Sequence, residues 1–187
     1  ASKAKIIGLA NAGGDTTHSI KQAAAFGIVR GGQNLAGLLV FLPDVHSLGL
    51  NVAQGLMLTE TFYWDLNDQT RAWSRRFASA NSGKMPSMVH AGVYSSVLHY
   101  LKAVESAKTD DGTKVAAKMK ELPTDDILFG KGSVRADGRK IHPAYLFEVK
   151  KPSESKGPYD YYKLAATIPA NEAFRPLSES ECPLVKK

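Results

Sequence analysis

The stretch AKIIGLANAGGDTTHSIKQAAAFGI, residues 4–28, constrains the fold more than any other part of the chain. Ile6, Ile7 and Leu9 have the apolar character of a buried strand. Ala10 to Gly14 are too small and glycine-rich to continue it, so the chain turns there. Asp15, Thr16 or Thr17 can then cap a helix carrying Ile20, Ala23, Ala24 and Phe26, with Gly27 as its stop. A strand, a small-residue turn and a helix start make a ligand-holding shape. The loop backbone permits close approach, and the first-turn N–H groups point at whatever sits there.

The pattern repeats along the chain. LAGLLVF, residues 35–41, is a second continuous apolar strand of the kind buried in a parallel sheet. Pro43 and Asp44 then end it and open a short helix over residues 45–53, with Asp44 as its cap. Residues 55–64 (GLMLTETFYW) read as a third strand that turns from core-like to polar and aromatic midway. The order is βαβαβ, which right-handed crossovers make an α/β unit with a mostly parallel sheet.

Helices follow. Asn67 or Asp68 caps one that runs to Ala80, and Pro86 opens another that reaches Ala107. Met88, Val93, Val97, Leu98, Leu101 and Val104 form its apolar stripe. Residues 113–122 form a short amphipathic helix stopped by Pro123. From Ile127 the style is short β: a hairpin around Asp137-Gly138, a strand over residues 144–149, a polar loop, and a strand over residues 159–168. Two α/β lobes, with the chain crossing near residues 59–64 and again near Lys140, account for this mixture.

The net charge of +6 raises the question of nucleic acid. The densest basic groups, Arg71, Arg75 and Arg76 and then Lys114, Lys118 and Lys120, fall on solvated helix faces, so no nucleic-acid partner is expected. The sequence has no apolar run of membrane-spanning length. Its single cysteine, Cys182, can pair only with a thiol on another chain segment. His90 and His99 lie nine positions apart on one helix and suit packing or surface better than a metal. The loop NAGGD is not the GxGxxG of a dinucleotide site, and no acid ends the second strand as a ribose partner would. No catalytic constellation is recognisable, which argues against an enzyme.

The residues IIGLANAGGDTTHSIKQAAAFGI, DVHSLGLNVAQGLMLTETFYWDLND, KMPSMVHAGVYSSVLHYLKAVESA and DGRKIHPAYLFEVKKPSESKGPYDYYK together resemble the C-terminal part of a type I periplasmic solute-binding protein. The group resembled is the branched-chain-amino-acid-binding (Leu/Ile/Val-binding-like) receptors of ABC importers. The resemblance implies two lobes joined by three hinge strands, with a small-molecule ligand closed between them and delivered to ABC permease subunits in the periplasm. It implies no cofactor. On that mapping residues 1–61 belong to lobe 2, residues 62–139 to the C-terminal part of lobe 1, and residues 140–187 return to lobe 2 and end in a tail. A full member is about twice as long, so the resemblance implies association with a missing N-terminal half or an intertwined homo-oligomer.

The resemblance also nominates site residues. The first lobe 2 loop corresponds to Ala10, Asn11, Ala12, Gly13 and Asp15. Asp44 falls where amino-acid binders pair the ligand ammonium, although it also suits a helix cap. His46 either donates to an acid or is a helix-surface histidine. Tyr63, beside Phe62 and Trp64 at the crossover, and Tyr94, on the helix after Pro86, are the lobe 1 candidates. Some amino-acid binders carry an aromatic where this chain has Ala12 and Gly13, which leaves room for a bulkier or aromatic carboxylate. The expected function is capture of a small carboxylate-bearing solute, an amino acid or an aromatic acid. A ligand-sensing receptor of the same fold is the alternative.

Overall fold

The computed structural model describes residues 3–185. It divides into two compact units, Ala1–Glu60 with Tyr145–Thr167 and Thr61–Ala144 with Ile168–Lys187. The chain therefore changes unit at three places, after Glu60, after Ala144 and after Thr167.

The first unit is built on a five-stranded sheet ordered β1-β2-β3-β7-β8. Its strands are β1 (Ile6–Leu9), β2 (Asn34–Gly37), β3 (Met57–Glu60), β7 (Ala144–Val149) and β8 (Tyr162–Ile168). The pairs β1/β2 and β2/β3 are parallel, and β3/β7 is antiparallel. Between the parallel strands run α1 (Gly13–Ala25), α2 (Leu42–Leu48) and α3 (Leu50–Ala53). Neighbouring parallel strands joined in one direction by right-handed crossovers put these helices on one face of the sheet, and α1 packs on both α2 and α3.

The strand register separates the two faces. Paired positions put Leu35, Gly37, Leu58, Glu60 and Phe147 on one side, with Val149 two residues on; all of these are buried. Ile20, Val45, Leu48 and Ala53 from the helices complete that core. The opposite face carries Ile6, Gly8, Ala36, Met57, Thr59 and Leu146, which are exposed or half-buried, Ile6 at 63%.

Several elements differ from expectation. The second strand stops at Gly37 rather than Phe41 because the chain folds back there. A side chain at Gly37 would lie 2.4 Å from Cγ2 of Val40. Leu38 and Leu39 consequently face solvent. The helix expected over residues 45–53 is two helices, because Gly49 adopts φ +75 between them. The third strand covers only Met57–Glu60 of residues 55–64, and β8 begins at Tyr162 instead of Tyr159. None of Asp15, Thr16 and Thr17 caps α1, which starts earlier, at Gly13.

The second unit holds α4 (Asp68–Ala80), α5 (Met88–Ala107), α6 (Gly112–Glu121) and a three-stranded sheet of β4 (Thr124–Asp126), β5 (Gly130–Val134) and β6 (Lys140–Ile141). Asn67 caps α4 by accepting from Thr70 N–H at 3.0 Å, while Thr70 Oγ1 accepts from Asn67 N–H. Asp111 caps α6 through Lys114 N–H. The β5–β6 hairpin turns through Asp137-Gly138, with Gly138 at φ +81. Phe62, Trp73, Ala91 and Leu128 form a buried cluster. The buried residues of α5 are Ala91, Ser95, His99 and Ala103. Its apolar stripe lies elsewhere: Val93, Val97 and Leu101 are exposed, at 60%, 51% and 55%.

Candidate functional site

The carboxyl ends of β1 and β2 lie side by side, Leu9 opposite Gly37, and Leu38 N–H donates to the Leu9 carbonyl. The loops that follow, Ala10 to Ala12 and Leu38 to Phe41, therefore leave the same edge of the sheet and lead into α1 and α2. In open parallel sheets this edge is where ligands bind.

The first loop is open and poor in side chains. Ala10, Ala12, Gly13, Gly14 and Asp15 are all exposed. Gly13 sits at φ +57, a conformation that suits glycine, and nothing lies within 4 Å of where a Cβ would be. Ala12 is the N-cap of α1 and makes no side-chain cap hydrogen bond at the start of the 13-residue helix, whose first turn carries Asp15. Asn11 is otherwise engaged. Its amide donates to Ser19 Oγ at 3.0 Å and its carbonyl oxygen accepts from Thr16 Oγ1 at 2.9 Å. These bonds fix the loop to the helix it precedes and occupy the Asn11 side chain.

Asp44 lies in the first turn of α2. Its Oδ2 accepts from Phe41 N–H at 2.8 Å, and its own N–H donates to the Phe41 carbonyl. The carboxylate thus holds the helix start from the third helical position. His46 turns to the loop between β7 and β8. Its ring stacks on Tyr159 at 4.5 Å and 9°, and its Nδ1 lies 2.7 Å from the Tyr161 hydroxyl. Tyr159 itself has φ +67, rare for a bulky residue. The Lys150–Asp160 ion pair holds that loop closed.

Tyr63 and Tyr94 belong to the second unit. Tyr63 is buried, 4% exposed, edge-on to Trp64 at 5.9 Å. Tyr94 is 36% exposed and its ring lies 5.3 Å from Trp73. The two histidines of α5 have structural partners. His90 Nδ1 accepts from Ser87 N–H, and His99 Nε2 lies 2.8 Å from the Met119 carbonyl oxygen. Among the described residues, no three His, Cys, Asp or Glu are grouped to hold a metal.

Two features went unread in the sequence. Glu60, at the carboxyl end of β3, is 1% exposed and accepts from the Tyr162 hydroxyl at 3.0 Å. A lone acid inside an apolar strand was the available signal. The tyrosines that receive His46 come from a polar loop whose fold nothing in its composition specifies. A cavity of about 560 Å3 in the first unit lies elsewhere, lined by Ile20, Leu35, Val52 and Gly55 near the amino ends of β2 and β3; none of the expected site residues lines it.

The sequence matches the periplasmic binding protein family over residues 1–158. The chain belongs to that family. A periplasmic binding protein of Burkholderia mallei is 52% identical over 98% of this chain, with a TM-score of 0.91. A branched-chain amino acid ABC transporter periplasmic ligand-binding protein of Burkholderia xenovorans is 41% identical over 97% of the chain, with a TM-score of 0.86. At the level of fold alone, the chain also resembles an ABC transporter solute-binding protein of Rhodopseudomonas palustris solved with p-hydroxybenzoic acid, at 21% identity over 90% of the chain and a TM-score of 0.74. The chain spans 48% of each Burkholderia protein and 46% of the third. No curated protein sequence matches. The type I fold expected from sequence is thus present in part, and no helix among the described residues is long and apolar enough to cross a membrane.

Proposed function

We propose that this chain is part of the substrate-binding component of an ABC importer and supplies part of a clamp for a small carboxylate-bearing solute. The observation that carries this reading is the loop from Ala10 to Gly13, with the uncapped start of α1, at the carboxyl edge of a parallel sheet. Backbone N–H groups and a helix amino end suit a carboxylate. Kinship with the Burkholderia xenovorans receptor favours an amino acid, and Asp44 lies at the same sheet edge as the acidic residue that an ammonium would require. The small residues Ala12 and Gly13 leave room for an aromatic acid.

In this reading the first unit is lobe 2 and the second is the helical part of lobe 1, with Tyr63 and Tyr94 as its ligand contacts. The chemistry is binding alone, with closure about the crossing strands presenting the loaded form to a membrane permease in the periplasm. The test is a calorimetric panel of branched-chain amino acids and aromatic acids on a full-length receptor carrying this chain. Binding of a carboxylate ligand, weakened at least tenfold by Gly13→Val, supports the proposal. Unchanged affinity in that variant contradicts it.

A further inference from the structure

The cavity of about 560 Å3 in the first unit takes no part in the clamp. The clamp loops leave the carboxyl edge of the sheet. This cavity lies at the amino edge, on the face that the helices cover, between the last turn of α1, the turn that follows it, and α3. Its floor is the core itself: Ile20 and Leu35 are both buried, and Ala24 and Val52 add apolar walls. Small-molecule sites occupy roughly 300–1,000 Å3 and share this make-up, a mostly apolar wall with a few polar groups that fix orientation.

The polar groups here are of one sign. Among the described residues that line the cavity, Arg30 and Lys151 are cations and none is an acid. Both side chains are exposed, and neither is in an ion pair among the described residues. The acids three residues either side of Lys151, Glu148 and Glu154, both pair with Lys163 instead, at 3.1 and 3.5 Å. The carboxyl end of a helix repels an anion when its carbonyls are bare. At the end of α1 they are not, because the Gln22, Ala23 and Ala24 carbonyls accept from the N–H groups of Phe26, Ile28 and Gly27.

We propose that this cavity is a second binding site, for a monocarboxylate with an apolar body. The body lies on Ile20 and Leu35, and the carboxylate meets Arg30 and Lys151 at the rim. Arg30 offers the planar fork that matches a carboxylate, and Lys151 a point charge. An uncharged or cationic molecule of the same shape finds the apolar floor but no charge partner. No residue of the clamp takes part, so failure of the clamp reading leaves this one standing.

The probe is octanoate, followed by amide NMR of the isotope-labelled chain, with octanol and octyltrimethylammonium as the uncharged and cationic controls. Saturable shifts are expected at Ala24, Gly27 and Gly55, which line the cavity, and not at Ala10 to Gly14. Hexanoate, two buried methylenes shorter, should bind about tenfold more weakly. Arg30→Gln with Lys151→Gln should weaken octanoate at least tenfold and leave the melting temperature unchanged, because both side chains are exposed. The proposal is overturned by the absence of saturable shifts at the cavity, by shifts centred on Ala10 to Gly14, by a control or hexanoate binding as tightly as octanoate, or by equal affinity in the variant. Should the chain alone give no dispersed spectrum, octanoate is titrated calorimetrically into a full-length receptor carrying this chain and into its Arg30→Gln, Lys151→Gln variant. A tenfold loss there supports the proposal, and equal affinity overturns it.

Discussion

His142 lies between the rings of Phe129 and Phe174, at 4.9 and 5.2 Å. Burial lowers its pKa below the ordinary value; the nearby Lys140 and Arg139 push the same way, while the Pro143 carbonyl and Asp126 oppose. The folded chain therefore favours neutral imidazole. Its contribution to stability is complete above the unfolded value of about 6.5 and is lost as pH falls through the lower folded value. Denaturant titrations at pH 7.5 and 5 should show this loss in the native chain and a smaller one in His142→Asn. Asp126 behaves as an acid of the same sign. Burial would raise its pKa, but hydrogen bonds from Lys140, Ser95 and the N–H groups of Phe129 and Leu128 outweigh that and lower it. Its stabilisation is present above the ordinary carboxylate value and lost as pH falls through the lower folded one. The side chain is 5% exposed and its ion pair to Lys140 measures 2.8 Å. Removing the carboxylate in Asp126→Ala strands the lysine, and urea unfolding should show a loss of about 3 kcal/mol.

At the scale of elements, caps and turns were the most legible features. Asn67 before a polar–apolar run announced α4, and Asp137-Gly138 announced the β5–β6 hairpin, because both signals are local backbone chemistry. Asn67→Ala should cost about 1 kcal/mol in urea unfolding. Gly132, in β5, was not legible. A Cβ there would sit 2.3 Å from the Ile141 carbonyl oxygen across the hairpin, a close approach that only tertiary structure reveals. Gly132→Ala should cost about 2 kcal/mol by the same measurement, and a cost near zero would show that the hairpin yields. The end of β2 was misread because LLVF has no turn residue; the reversal is set by Val40 packing over Gly37. The stripe of α5 was legible as apolar, but Val93, Val97 and Leu101 of it are exposed. Periodicity reports that a face seeks cover, not which segment supplies it.

The candidate site was legible to different depths for a related reason. The loop after β1 was visible because glycine and alanine write backbone geometry into the sequence. The engagement of His46 with Tyr159 and Tyr161 was not, because it joins residues 113 and 115 positions apart. Asp44 proved able to hold a helix start through Phe41 N–H, the structural half of its dual reading.

For the whole molecule, the proposal is that this chain carries part of a two-sided clamp. It contains two compact units, a sheet covered on one face, and about half the length of its Burkholderia relatives. A clamp closes only when both jaws are whole, so ligand affinity should belong to the completed fold. The direct measurement is isothermal titration of leucine and p-hydroxybenzoate into this chain alone and into the same chain joined to the Burkholderia mallei amino-terminal half. The account predicts no measurable heat of binding for the chain alone and saturable binding of at least one carboxylate by the joined protein. Equal affinity in the two proteins would contradict it.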